Sequence, residues 1–145
     1  MARQSRGMFY RFDTAVPLRW VDVDSAGVVN NATYLSLVEQ ARFAYFDHLG
    51  LMAGHEVPFV LAEANVRFKR PGRLGMDVVV AARTSRLGQT SFQMEYEIRN
   101  GEEILAESTA ALVFVGADLK PCTIPAPFRA AVAQFEDLPD ASDGQ

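Results

Sequence analysis

One long helical pattern followed by four period-two runs constrains this chain more than any other feature. Across residues 31–49, Tyr34, Leu37, Val38, Ala41, Tyr45, His48 and Leu49 recur at spacings of three and four, which puts them on one helix face. Gly50 supplies a C-terminal stop. The opposite side is not fully polar, because Phe43 and Phe46 stand there among Ser36, Glu39, Gln40 and Asp47. A helix with apolar groups on two sides is covered on two sides, by a sheet and by a partner subunit or ligand. Beyond the helix the period changes to two. Residues 57–70, 76–87, 90–99 and 103–115 read as strands, broken at Pro71-Gly72, Leu87-Gly88 and Asn100-Gly101. The last break is a tight-hairpin signal. Phe92, Met94, Tyr96 and Ile98 alternate with Gln93, Glu95, Glu97 and Arg99, which predicts one wet face. The continuously apolar run 110–115 belongs inside the sheet. Residues 14–22 read as a further strand, with Pro17 placing it at an edge or an early position. Residues 127–135 read as a short final helix. Strand, long helix, then four strands is an α+β arrangement, one helix against a mostly antiparallel sheet.

A chain of 145 residues is expected to form one domain, here 13–136, between a loose arm at 1–12 and a disordered acidic tail at 137–145. That length buries a core without a disulfide or a structural metal. The 49 % hydrophobic and 22 % charged content is that of a soluble globule, and the net charge of −4 argues against nucleic acid as a partner. Cys122 is the single cysteine, and His48 and His55 are too few and too badly spaced for a metal site, so none is expected. No apolar run approaches the roughly 20 residues of a membrane span, and the polar N-terminus lacks a signal segment. The expected location is the cytoplasm, away from membranes.

The chemistry concentrates between Leu18 and Arg42. A strand-like run ends in Asp22 and Asp24, Ser25-Ala26-Gly27 makes a turn, and Asn30-Asn31 opens the helix. This brings a carboxylate to the positive end of a helix, where free backbone N–H groups can hold a developing negative charge. Acyl-group hydrolysis needs that combination. Each residue also has a plainer reading. Asp24 suits a turn, Gly27 relaxes one, and Asn31 is a favoured helix cap. Asp22 is the rival carboxylate, since strand alternation puts it on the same side as Asp24; it is read as structural, paired to Arg19 or Arg42. Glu39 and Arg42 read as a helix-surface ion pair, with Glu39 alternatively reaching an interface. Glu63 lies in an otherwise apolar strand start, where an unpaired carboxylate is costly, so it is read as a paired core or interface group. Tyr34, Phe59 and Phe92 are candidates for an acyl pocket, beside plain core packing.

In order and spacing, Arg19-Trp-Val-Asp-Val-Asp24, Gly27-Val-Val-Asn-Asn31, Tyr34-Leu35, Glu39-Gln-Ala-Arg42 and Leu49-Gly50 form a recurring set. With Phe68-Lys-Arg-Pro71, Gly75-Met-Asp77 and Arg86-Leu-Gly-Gln-Thr-Ser-Phe92, the chain resembles the hotdog-fold acyl-CoA thioesterases, in the branch related to 4-hydroxybenzoyl-CoA thioesterase. The resemblance implies a hotdog fold, in which a curved five-stranded sheet wraps the helix. It also implies sheets joined edge to edge in a homodimer or homotetramer, with active sites at the interface. The substrate would be an acyl-CoA, with CoA part of the substrate and no separate cofactor. Asp24 matches the family's catalytic aspartate, acting as nucleophile or general base. The backbone N–H of Asn31 would polarise the thioester carbonyl, and Gly27 would let substrate approach the backbone. Many relatives carry a histidine near the Val28 or Asn30-Asn31 positions; its absence leaves Asp24 as the reactive group of this loop. A carboxylate is ionised at neutral pH and needs no activating base.

Coenzyme A also presents phosphates. Arg67, Lys69, Arg70 and Arg73 gather around Pro71-Gly72, with Arg86 near Leu87-Gly88. Arg70 and Arg73 are the expected phosphate contacts, against the plainer reading of a solvated loop. The same cations would serve an acidic acyl-carrier protein, which is the alternative substrate. A non-catalytic acyl-CoA-binding protein on this fold is a further alternative. Hydratase chemistry wants a paired acid and base, and neither histidine lies near Asp24 in sequence.

Overall fold

The computed structural model describes residues 3–5, 8–54 and 58–139. The elements run β1 (Arg3–Ser5), β2 (Met8–Tyr10), β3 (Phe12–Ala15), a 3₁₀ turn (Trp20–Asp22), α1 (Thr33–His48), β4 (Phe59–Phe68), β5 (Val78–Leu87), β6 (Ser91–Asn100), β7 (Glu103–Phe114) and α2 (Ala126–Glu136). Five strands form one antiparallel sheet in the order β3-β5-β6-β7-β4. The long helix, the four later strands and the final helix thus lie where periodicity places them. The Asn100-Gly101 signal is a two-residue hairpin, with Asn100 paired to Glu103 and Gly101 at φ +62°. The apolar run of β7 is interior, paired to β6 on one side and β4 on the other.

Helix α1 buries Tyr34, Leu37, Val38, Ala41, Arg42, Tyr45 and Phe46. At 100° per residue that set covers roughly half the helix circumference, so the curved sheet wraps further round than a single apolar stripe requires. Phe46, expected on the second face, is fully buried, ringed by Phe59, Phe92 and Phe128 at centroid distances of 5.0–5.8 Å. His48, expected on the core face, is exposed because the helix ends there; its ring rests against Phe12 and Phe135. Arg42 is buried as well, not part of a surface ion pair with Glu39: its Nε donates to the Tyr96 hydroxyl at 2.8 Å.

Three further expectations are corrected. Residues 14–22 are not one strand. β3 stops at Ala15, and Trp20–Asp22 closes into a 3₁₀ turn because the Asp22 carboxylate folds back on Arg19. The outer face of β6 is wet only at its start, since Glu97 and Arg99 are 1 % and 2 % exposed and Arg99 bonds both Glu97 and Asp13. Buried Tyr10 lies beside them; its phenol is pushed far above the ordinary tyrosine value, first by burial and then by Glu97 and Glu95. The 1–12 segment, expected as a loose arm, contains the β1–β2 pair and the first residue of β3. At the other end, Asp137 takes a left-handed cap at φ 56° and the Leu138 N–H bonds Ala133 O, closing α2. The rest of the expected tail, 140–145, and His55 lie outside the described residues. Among the described residues no helix is long and apolar enough to cross a membrane.

Candidate functional site

The segment between β3 and α1 builds a small three-stranded ribbon. Residues 22–24 run against 28–30, with the Asp24 N–H on Val28 O and the Asn30 N–H on Asp22 O, both at 2.9 Å. On its far side, Val29 N–H donates to Gly72 O at 2.8 Å and Val28 bridges Arg73. The reversal between the first two limbs is the Asp24–Gly27 turn, closed by Gly27 N–H on Asp24 O at 2.9 Å. Gly27 has φ +80°, a left-handed backbone that explains glycine there.

Asp22 and Asp24 have opposite environments. Asp22 is 3 % exposed and accepts the Arg19 backbone N–H at 2.7 Å, Nη2 at 2.9 Å and Nε at 3.3 Å. Hydrogen bonding from the Arg19 guanidinium holds its carboxyl below the usual range against the opposing effect of burial. It is the structural carboxylate, paired to Arg19 and not to Arg42. Asp24 is exposed at the ribbon tip. Its Oδ1 accepts the N–H of Ala26 at 2.9 Å and of Val28 at 3.3 Å. Oδ2 has no partner among the described residues. The turn reading of Asp24 is therefore realised by one oxygen, and the other is left facing solvent.

The helix start differs from expectation, since neither asparagine is its cap. The N-cap of α1 is Ala32, with no side-chain cap bond, and Asn31 does not cap; just ahead of the helix Asn30 forms an Asx turn, its Oδ1 accepting the Ala32 N–H at 3.0 Å while its carbonyl accepts Thr33 N–H at 2.8 Å. Asn31 occupies the second position of that turn, and its own N–H finds no acceptor among the described residues. Among the described residues, a carboxylate oxygen without a partner thus ends the first limb of the ribbon, and an unpaired donor follows the second, where the helix starts.

The cations divide. Arg70 Nε pairs with Glu103 at 3.3 Å and Lys69 with Glu107 at 3.7 Å, around a cavity of about 310 Å³ that also includes Glu102 and Ile104. Arg73 is exposed, forms no ion pair among the described residues, and is joined by its backbone to Val28 of the ribbon. Phe59 and Phe92 belong to the aromatic core with Phe114 and Phe128, and Tyr34 is buried with its hydroxyl accepting the Gly72 N–H at 3.2 Å. None of the three presents an open acyl-lining surface. Glu63 is exposed beside a bulge between Leu61 and Glu63, not in the core.

The sequence reading missed the Gly72–Tyr34 contact and the pairing of Lys69 and Arg70. The signal for the second was present, since Glu103 and Glu107 alternate on the strand that returns past them.

A five-stranded antiparallel sheet curved round one long helix, with a carboxylate loop at the helix start, is the hotdog architecture. The chain belongs to the thioesterase superfamily, whose sequence profile matches residues 26–107. It is similar to a thioesterase from Thermus thermophilus solved with coenzyme A and zinc: 32 % identity, 90 % of this chain and 98 % of that one covered, TM-score 0.80. It is also similar to the acyl-CoA thioester hydrolase YbgC of Escherichia coli, 29 % identical over 86 % of this chain and 96 % of the relative. A third relative is the chloroplastic acyl-acyl carrier protein thioesterase ATL3 of Arabidopsis thaliana, 26 % identical over 94 % of this chain and 75 % of the relative. This membership makes the protein a thioester hydrolase.

Proposed function

We propose that this protein hydrolyses acyl-CoA thioesters to a free acid and CoA, with Asp24 as the reacting carboxylate and the Asn31 N–H as oxyanion donor. The observation that carries the reading is the pairing of an unbonded helix-start N–H with a carboxylate whose Oδ2 is free, on one hydrogen-bonded ribbon. The thioester carbonyl oxygen sits on the Asn31 N–H, where its developing charge is stabilised without rearrangement. Asp24 Oδ2 then attacks the carbonyl carbon and expels the CoA thiolate, leaving an acyl–aspartyl anhydride that water cleaves. In the other route Asp24 takes a proton from water, and the hydroxide attacks. Both consume one water and release acid and thiol. Hydrogen bonds from Ala26 and Val28 to Oδ1 fix the carboxylate's direction.

Arg73 is the phosphate contact this reading favours, since Arg70 is already matched by Glu103. The Lys69, Arg70, Glu103 and Glu107 pairs leave little net positive charge for an acidic carrier protein, which supports CoA as the thiol.

The site is completed by a second copy of the chain. Strand β4 is a sheet edge with Val60, Leu61 and Phe68 46 %, 48 % and 51 % exposed. A long apolar edge with unpaired backbone groups is a template for another strand, and two antiparallel β4 edges would continue the sheet through a two-fold axis.

Thiol release from aromatic, short-chain and medium-chain acyl-CoAs, beside the same acyl groups on a carrier protein, tests the reading. CoA esters are expected to turn over, with free CoA competing. Turnover of carrier-protein esters alone would replace CoA as substrate, and no turnover of either would leave a binding role.

A further inference from the structure

A buried contact ties the CoA-side loop to the ribbon that holds Asp24. Gly72 is buried, and each of its backbone polar groups is used: its carbonyl accepts Val29 N–H at 2.8 Å, and its N–H donates to the Tyr34 hydroxyl at 3.2 Å. The fit is tight. A Cβ on Gly72 would meet Val29 Cγ2 at 3.0 Å and the Tyr34 hydroxyl oxygen at 3.1 Å. Tyr34 is 2 % exposed and stands in the first turn of α1, its ring edge-on to Phe68 at 5.2 Å. Phe68 ends β4, the strand that leads into Gly72. The ring is thus fixed by Phe68 and the hydroxyl by Gly72. Burial pushes the phenol above its ordinary value, so it stays neutral at working pH. One residue on, Arg73 bridges Val28. Without the hydroxyl, the Gly72 N–H has no acceptor in a buried place, and the 71–73 segment must shift to find one.

We infer that Tyr34 is a positioning residue for thioester hydrolysis: its hydroxyl holds Gly72, and through Gly72 holds the Asp24 loop, the Asn31 N–H and Arg73 in one rigid frame. This inference rests on the hydrolase reading proposed above. Tyr34 itself need not touch the substrate. Its effect is transmitted through the Val29–Gly72 and Val28–Arg73 pairs to both ends of the ester.

Tyr34→Phe keeps the ring on Phe68 and removes only the acceptor. It is expected to lower kcat about tenfold or more, since a misplacement of about 1 Å costs on the order of 10²-fold. It should also raise KM for an acyl-CoA while leaving KM for the matching acyl-pantetheine, which has no phosphates for Arg73, unchanged. A variant that is merely less stable loses active fraction and moves neither KM. Gly72→Ala, which wedges the same contact from the other side, should give the same pattern. The double variant should fall short of the product of the two losses, because both act at one contact. A kcat within twofold of wild type in Tyr34→Phe overturns the inference, as do multiplicative losses. Should Tyr34→Phe fail to fold, Gly72→Ala decides by the same criterion. Asp24→Asn in parallel separates the two claims. If it is inactive while Tyr34→Phe is normal, the inference fails and the hydrolase reading stands; if it is fully active, the reading beneath both fails.

Discussion

Replacing Asn31 with proline removes one hydrogen atom from the proposed reaction and little from the fold. The Asn31 N–H makes no hydrogen bond among the described residues, so its loss orphans no acceptor. The residue is exposed and holds the second position of a turn closed by Thr33 N–H on Asn30 O at 2.8 Å, where proline is favoured. Its carbonyl, which accepts Tyr34 N–H at 3.3 Å, is retained. An oxyanion donor is worth roughly 2.7–4 kcal/mol of barrier. At 1.36 kcal/mol per decade that is about 10²–10³ in kcat. Asn31→Ala, which keeps the N–H, should retain kcat within a few-fold. The assay is steady-state thiol release on wild type, Asn31→Pro and Asn31→Ala, with thermal melts to confirm that all three are folded. A folded Asn31→Pro with near wild-type kcat, or an Asn31→Ala as impaired as the proline variant, refutes the role of the N–H.

Other outcomes follow from the same geometry. Glu136 is buried, accepting Tyr45 O–H at 2.5 Å and Thr84 N–H at 3.0 Å, and burial raises its carboxyl pKa above the ordinary value. A raised acid favours the neutral native form, so its contribution to stability is full below the unfolded pKa near 4.5 and is lost as pH rises through the raised native value. Urea unfolding of Glu136→Gln should lack that decline, and an unchanged pH profile would contradict the assignment. Leu61→Lys on the exposed β4 edge should convert a dimer to monomers in light scattering; a wild type that is already monomeric at assay concentration would sink the edge-to-edge proposal. Phe92→Ala, at the centre of the aromatic cluster, should cost about 3–5 kcal/mol in denaturant unfolding, and a loss under about 1 kcal/mol would mean the cluster repacks freely.

Much of this architecture is legible in the chain because its elements are governed by period. The helix, four strands and the hairpin at Gly101 need only local spacing and turn chemistry. The failures occur where a side chain overrides the local pattern or a distant segment arrives. Residues 14–22 read as one strand, but the Arg19–Asp22 clamp folds 20–22 into a turn instead. Glu97 and Arg99 look solvated because charge usually faces water, yet segments remote in sequence cover them, Asp13 reaching Arg99 across 86 positions. Asn30 and Asn31 both look like caps, yet Asn30 spends its side chain on an Asx turn and Ala32 takes the cap position. The Asp24 loop is legible as a candidate site because a carboxylate, a glycine turn and a helix start are contiguous. The Gly72–Tyr34 contact is not, since it joins residues 38 positions apart and is carried by a glycine with no side chain to announce it.

The central claim is that Asp24 reacts with a thioester, and its most direct test is single-turnover thiol release from an acyl-CoA by wild type and Asp24→Asn. Asparagine keeps an oxygen to accept from Ala26 and Val28 but cannot serve as nucleophile or base. The account predicts rapid release by wild type and a near-complete loss in a variant of unchanged fold and oligomer size. Equal release by the two proteins would contradict it and move the chemistry away from this loop.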